Sequence, residues 1–266
     1  MNISERVSLI CAVAILGTAS IVSAGGWNSA EDSGDCRHSN ADFCEVREID
    51  LKARQLLDVD GAANGGIHVK GWGRSEISIS ARVTVRADGD ENRAERIARE
   101  IEIDTNGQIK ASGPRSERNK SWSVEYRIKV PHQTDLELHA INGGISIADV
   151  RGEIDAETTN GGLNLSSLAG DVRGRTTNGG LDIQLEGQHW SGKGLNARST
   201  NGGVKLAVPE NYSADLSLST VNGGMHLDFP VTVSGQIDKK IHAKIGKGGA
   251  PIKVSTTNGG VRLHRD

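Results

Sequence analysis

Asn142-Gly143-Gly144-Ile145-Ser146-Ile147 runs on through Gly152, Ile154, Ala156 and Thr158-Thr159, and the pattern then starts again without a gap. The second copy reads Asn160-Gly161-Gly162-Leu163-Asn164-Leu165 through Gly170, Val172, Gly174 and Thr176-Thr177. The triplet Asn-Gly-Gly occurs seven times, beginning at Asn64, Asn142, Asn160, Asn178, Asn201, Asn222 and Asn258, and the last six are 18, 18, 23, 21 and 36 residues apart. An aliphatic residue follows each triplet: Ile67, Ile145, Leu163, Leu181, Val204, Met225 and Val261. A repeat of about 18 residues points to stacked β-coils. The expected fold is therefore all-β, a single-stranded β-helix or β-solenoid with repeated Asn-Gly-Gly corners.

Within a coil, two short strands are expected, separated by a glycine turn at Gly152 or Gly170. Alternation places Ile145, Ile147, Ile154, Ala156 and Thr158 inward and Ser146, Asp155 and Glu157 outward. Asn and Gly both tolerate positive φ, so each triplet is read as a sharp corner. Asn-Gly is also a strong hairpin signal, which would make the repeat an antiparallel meander. In a solenoid, equivalent residues are direct neighbours, and the outward residues speak to this. Asp155 aligns with Arg173, Glu157 with Arg175 and Asp182 with Lys205, whereas Glu153 against Asp171 goes the other way. Opposite charges at successive equivalents favour the solenoid.

The rest of the chain divides around this repeat. The 266 residues include 34 glycines and only 3% aromatics, so the core is expected in thin aliphatic layers. Arg6 precedes an apolar run from Val7 to Leu16, and Val22-Ser23-Ala24 fits a signal-peptidase site, so residues 1–24 read as a signal peptide. The run is shorter than the about 20 residues of a spanning helix, and Cys11 lies inside it rather than after it, which argues against lipidation. No transmembrane segment is expected after cleavage. Residues 25–48 read as a polar leader, in which Cys36 and Cys44 form a disulfide in an oxidising compartment. A metal site with Asp35, His38 and Asp42 lacks a second cluster at zinc spacing. Residues 49–138 are a less regular β region. Strands are expected at Ile77–Val85 and Trp122–Val130, with one short helix from Asp90 to about Glu100 carrying Ala94, Ile97, Ala98 and Ile101 on one face. That helix is placed to cover an open end or side of the stack. Regular coils occupy 139–266.

Candidate chemistry is sparse. Asp155, Glu157, Arg173 and Arg175 are the best catalytic cluster and read more simply as a charge ladder on a solvated face. Asp149, Asp171 and Asp182 occupy different repeat positions, against a calcium ladder. Thr158, Thr176, Ser199, Thr220 and Thr256 form one column and Thr159, Thr177, Thr200 and Thr257 the next; hydroxyls bonding along the stack account for them. Trp190, with His189, sits in the longer coil as a contact loop or as a plug folded over the stack. Trp27, Trp72 and Trp122 do not recur with the repeat. Lys239, Lys240, His242, Lys244 and Lys247 make a basic stretch in the coil without a triplet, suited to an anionic polymer or simply solvated. A net charge of -3 gives no field for nucleic acid. The expectation is no catalytic residue, cofactor or metal.

Three features carry a family resemblance: Tyr126-Arg127-Ile128-Lys129-Val130-Pro131 before Leu136-Glu137-Leu138, the recurring Thr-Thr-Asn-Gly-Gly-aliphatic unit, and the ending Gly246-Lys247-Gly248-Gly249-Ala250-Pro251 through Val261. Over roughly residues 50–266 the chain resembles the bacterial DUF4097 family of adhesin candidates, related to the toast-rack single-stranded β-helix. The resemblance implies a DUF4097-like β-repeat domain over 49–266, exported to the periplasm or cell surface. It implies a non-catalytic binding scaffold whose partner is an envelope protein or glycan, or else a structural or signalling component acting through a protein partner. It supplies no catalytic residues, and a polysaccharide-active enzyme is a distant alternative.

Overall fold

The computed structural model describes residue 36 and residues 39–62, 64–228 and 239–265. The signal-like segment 1–24, with Arg6, Cys11 and Val22-Ser23-Ala24, lies outside the described residues, as do Trp27, Asp35 and His38. The described elements run β1 (Phe43–Lys52), β2 (Leu56–Asp60), β3 (Ile67–Trp72), β4 (Glu76–Arg86), α1 (Glu91–Arg99), β5 (Glu102–Asp104), β6 (Ile109–Ser112), β7 (Ser121–Pro131), β8 (Asp135–Ala140), β9 (Ile145–Ala148) and β10 (Arg151–Thr158). They continue β11 (Leu163–Ser166), β12 (Ala169–Asn178), β13 (Leu181–Gln184), β14 (Gly194–Asn201), β15 (Val204–Val208), β16 (Ala214–Asn222), β17 (Met225–Leu227), β18 (Lys240–Ile245), β19 (Pro251–Asn258) and β20 (Val261–Arg265).

These strands form two ten-stranded mixed sheets. Sheet A runs β1-β4-β7-β3-β9-β11-β13-β15-β20-β17 and sheet B runs β18-β16-β19-β14-β12-β10-β8-β2-β6-β5. Each coil gives one strand to each sheet, and equivalents pair in parallel: Ile154 with Val172 in sheet B, Leu163 with Leu181 in sheet A. Equivalent residues are direct neighbours, as a solenoid requires and a meander forbids. The charge alignments fall in register too, with Asp155 beside Arg173, Glu157 beside Arg175 and Asp182 beside Lys205. Ile145, Ile147, Ile154, Ala156 and Thr158 are buried, and the inward aliphatics of both sheets merge into one core. Burying each Val, Leu or Ile contributes about 1.5–3 kcal/mol.

Four expectations are corrected. First, the region read as less regular contains a complete coil. β2 and β3 flank Asn64 and stack on β8 and β9, with Leu57 beside Leu136 and Ile67 beside Ile145. The long gap before Asn142 is an insertion, folded as β4, α1, β5, β6 and β7. Likewise β1 begins at Phe43, inside the stretch read as a polar leader. Second, the coils do not stack in chain order. The last coil, β19–β20, lies between β14–β15 and β16–β17. The basic stretch is not a coil: β18 pairs antiparallel with β16 at the sheet edge.

Third, no triplet glycine adopts positive φ. The first glycine of each triplet answers to crowding instead. A Cβ on Gly161 would lie 2.1 Å from the Gly143 carbonyl oxygen, and one on Gly179 would lie 2.0 Å from that of Gly161. Only hydrogen lets successive backbones approach this closely. Fourth, Gly152 and Gly170 lie within β10 and β12, near their starts, rather than between strands; of the two only Gly170 (φ 108°) has positive φ, and the bend before each strand also turns through Asp149 (φ 61°) and Ser167 (φ 54°).

The helix matches its reading. Asp90 caps α1 by accepting from the Arg93 N–H at 2.9 Å, and Ala94, Ile97 and Ala98 are buried. It packs on β4 and β1 at the end of sheet A, its buried residues joining the same core. Cys36 and Cys44 are joined by a disulfide with Cα atoms 5.7 Å apart, tying the leader to β1.

Candidate binding face

The seven Asn-Gly-Gly asparagines line up along one exposed corner of the stack as an amide ladder. Asn222 donates through Nδ2 to Oδ1 of Asn258 (2.8 Å), Asn258 to Asn201 (2.7 Å) and Asn201 to Asn178 (2.9 Å). Asn178 donates to Asn160 (2.7 Å), Asn160 to Asn142 (2.8 Å) and Asn142 to Asn64 (3.3 Å). Behind it, the inner hydroxyl column is buried. Thr158, Thr176, Ser199, Thr220 and Thr256 each donate, at 2.7–2.8 Å, to the carbonyl of the first glycine in an adjoining triplet. The hydroxyls thus bond along the stack, to backbone rather than to each other. Thr159, Thr177, Thr200 and Thr257 face solvent, and exposed Ile141 and Val221 occupy the corresponding places in two other coils.

The outer side of sheet B carries most of the charge. Its acidic part lies on β2, β8 and β10, with Asp58, Asp60, Glu137, Glu153, Asp155 and Glu157. Its mainly basic part lies on β12, β14, β19 and β18, with Arg173, Arg175, Arg198, Lys253, Lys240 and Lys244 beside Asp171 of β12 and Asp215 of the intervening β16. Asp58, Glu137 and Asp155 are direct neighbours in one register row, and so are Arg175 and Arg198. Like charges placed opposite each other cost roughly 0.2–1 kcal/mol, so this segregation works against folding. Ion pairs stitch the boundary, where Arg175 reaches Asp155 (3.4 Å) and Glu157 (3.7 Å) and Arg173 reaches Asp171 (3.2 Å) and Glu153 (3.7 Å), and on the far side of the acidic part Lys110 of β6 pairs with Asp60. The four residues read as a possible catalytic cluster are therefore brought together as a charge ladder. At Asp60, burial is the largest influence and pushes the pKa up, yet the Lys110 ammonium at 2.5 Å and the Ala62 N–H together hold the carboxyl below its ordinary range.

Two further places hold polar groups in unusual settings. His68 faces Glu125, which also binds Arg127 (3.1 Å) and Arg82. Burial, the largest influence, lowers the His68 pKa; Glu125 opposes this and Arg127 and Arg82 add to it. At the Asn64 end of the ladder lies a pocket of about 260 Å³ lined by Asn64, Ser112, Gly113, Ser116, Trp122 and Ser123, among others.

The remaining sequence candidates separate cleanly. Trp190 is buried and donates from Nε1 to the Gly170 carbonyl (3.0 Å), so it is a plug over the stack rather than a contact residue. Trp72 donates to Glu76 O (2.9 Å) beneath the Arg74 guanidinium. Asp149, Asp171 and Asp182 lie on different elements, and among the described residues no group of three His, Cys, Asp or Glu could hold a metal ion. The charge segregation was missed because, on this face, the sequence alignment compared only β10 with β12, where Asp155 meets Arg173, Glu157 meets Arg175 and Glu153 meets Asp171. Writing Glu137 into the same 18-residue row would have extended it, whereas Asp58 and Lys253 join only through the true coil order. The pocket left no sequence signal, since it depends on how the insertion folds.

The family model described as Toastrack DUF4097 matches residues 24–264. No curated protein matches the chain. Among solved structures, a candidate cell adhesion protein from Clostridium sporogenes ATCC 15579 is 13% identical, with 84% of this chain and 100% of that one covered and a TM-score of 0.40. A candidate adhesin from Bacteroides fragilis NCTC 9343 is 10% identical, with 83% and 97% covered and a TM-score of 0.38. A candidate lipid-binding protein from Parabacteroides distasonis ATCC 8503 is 9% identical, with 83% and 96% covered and a TM-score of 0.29.

Proposed function

Since this chain belongs to the Toastrack DUF4097 family, its model matching residues 24–264, we propose that it is an exported, non-catalytic binding scaffold of the bacterial cell envelope that makes contact through the outer face of sheet B. The observation that carries this reading is the charge segregation of that face. Rows of like charge oppose folding, and a partner with the complementary arrangement would relieve them. Because both signs are present side by side, the fit is better to an envelope protein than to a uniformly charged polymer. The Cys36–Cys44 disulfide and the apolar segment behind Arg6 support an oxidising, exported location.

The carboxylates of Asp155 and Glu157 share Arg175 on an open sheet face, an arrangement suited to contact more than to general acid–base work. Crosslinked affinity capture from the native envelope tests the reading, using wild type and Glu137→Lys/Asp155→Lys. One reproducible protein partner that is lost on charge reversal supports it. Recovery of glycan alone moves the scaffold to a different ligand class. Capture that ignores the reversal removes sheet B as the contact face, and turnover of a polysaccharide by the purified chain would reinstate an enzyme.

A further inference from the structure

The asparagine ladder is directional: all six Nδ2 donors point toward the Asn64 end of the stack. Hydrogen bonds in such a chain polarise one another, by roughly 10–30% per bond. Asn64 Nδ2 is therefore a strengthened donor at the end of the row, and no described residue accepts from it.

The layer beyond Asn64 lacks its corner. β6 and β7 continue the stack, with Asp60 beside Lys110 and Ile67 beside Tyr126. Yet β6 stops at Ser112 and β7 resumes only at Ser121, where every other layer on this side turns through Asn-Gly-Gly. The pocket of about 260 Å³ occupies that place.

We propose that this pocket binds an N-acetylated sugar through its acetamido group. The group is a carboxamide, like the missing rung, and its carbonyl accepts from Asn64 Nδ2 as an eighth asparagine would. Ser112 and Ser116 offer hydroxyls that both donate and accept, which suits sugar hydroxyls, while Ser123 Oγ is already bonded to Thr84 Oγ1 at 2.7 Å. Trp122, whose Nε1 is committed to the Pro114 carbonyl at 2.7 Å, offers an apolar ring held in place for the acetyl methyl and the sugar C–H face. Among the described residues the lining carries no charged side chain, which suits a neutral ligand. The volume falls below the roughly 300–1,000 Å³ of sites for drug-sized ligands, which limits the occupant to about one ring. A peptide Asn or Gln bears the same carboxamide; the hydroxyls of Ser112 and Ser116 favour the sugar.

Purified protein titrated with N-acetylglucosamine and with glucose, followed by tryptophan fluorescence and saturation-transfer NMR, tests this. The expected result is saturable millimolar binding of N-acetylglucosamine, with the acetyl methyl most strongly saturated and glucose at least about ten-fold weaker. Asn64→Asp keeps the acceptor for Asn142 but removes the donor, and should weaken binding by a similar factor at unchanged Tm. Should that variant fold poorly, Ser116→Ala serves in its place, with a several-fold loss expected. Equal affinity for the two sugars, no saturable binding, or wild-type affinity in Asn64→Asp each overturns the proposal. Tighter binding of N-acetylasparagine amide than of the sugar replaces it with a peptide ligand. Glu137→Lys should leave sugar binding intact, so the pocket and the charged face stand or fall separately.

Discussion

Replacing Gly179 with alanine tests why the corner is built from glycine. A Cβ there would lie 2.0 Å from the Gly161 carbonyl oxygen, 2.4 Å from its carbon and 2.9 Å from the Gly162 nitrogen. All three are backbone atoms, so no side chain can swing away. Relief requires the two layers to part by more than an ångström at the corner. That movement breaks the bonds Asn178 N–H to Thr159 O (2.7 Å), Leu163 N–H to Gly180 O (3.0 Å) and Thr176 Oγ1 to Gly161 O (2.7 Å). At roughly 0.5–1.5 kcal/mol each, the loss is about 3 kcal/mol, comparable with the cost of overpacking a core. For a domain of this size it corresponds to roughly 6–12 °C in Tm. The second glycine of the same triplet is the control, because a Cβ on Gly180 meets only the Gly203 oxygen at 3.2 Å, and one on Gly224 meets nothing within 4 Å. Urea unfolding should rank Gly179→Ala well below Gly180→Ala. Gly224→Ala should be neutral or stabilising by about 0.4–1 kcal/mol, through the unfolded chain. A Gly179→Ala midpoint indistinguishable from wild type, or a Gly224→Ala loss of equal size, would refute the close-packing account.

Other outcomes follow from the same geometry. Thr176→Val keeps the shape but removes the donor to Gly161, and should cost about 1–2 kcal/mol in urea melts, whereas exposed Thr177→Val should stay within about 0.5 kcal/mol. Cys36→Ser/Cys44→Ser should lower stability by about 2–3 kcal/mol in the loop-entropy model; wild type should lose the same amount under reductant and the variant nothing. His68 has its pKa lowered by burial, so protonation favours the unfolded chain. The stability that its neutral ring contributes is whole above its unfolded pKa of about 6.5 and is lost as pH falls through the lowered folded value. Urea midpoints should accordingly drop on acidification below that pH, and His68→Gln should flatten the drop; an unchanged slope would remove His68 as the sensor.

Much of the fold is legible in local periodicity. Alternation along Ile77–Val85 and Trp122–Val130 predicts strands that the structure finds as β4 and β7, paired antiparallel. The apolar face of Ala94, Ile97 and Ala98 with Asp90 ahead of it predicts α1. Successive 18-residue copies predict the parallel register of β10 with β12 and β11 with β13. The glycine argument failed because a sequence shows that Cβ is excluded but not by what: a left-handed backbone and a carbonyl 2.0 Å away select the same residue. Trp190 stayed open between contact and plug for a related reason, since its neighbour Gly170 is 20 residues away and meets it only in the fold.

By itself, then, the sequence determined which residues face inward, where the Asn-Gly-Gly corners fall and which residues of the consecutive 18-residue coils lie side by side, because these depend on periods of two and about eighteen. Only the tertiary structure decided which coil neighbours which. Every coil ends in the same Asn-Gly-Gly corner, with near-equivalent inward residues, so any coil satisfies the register of any other. The slot taken by β19–β20 between β14–β15 and β16–β17 depends on non-local strand pairing and chain connectivity, which no local pattern encodes. The directional amide ladder, the divided charge of sheet B and the pocket at Asn64 all inherit that order.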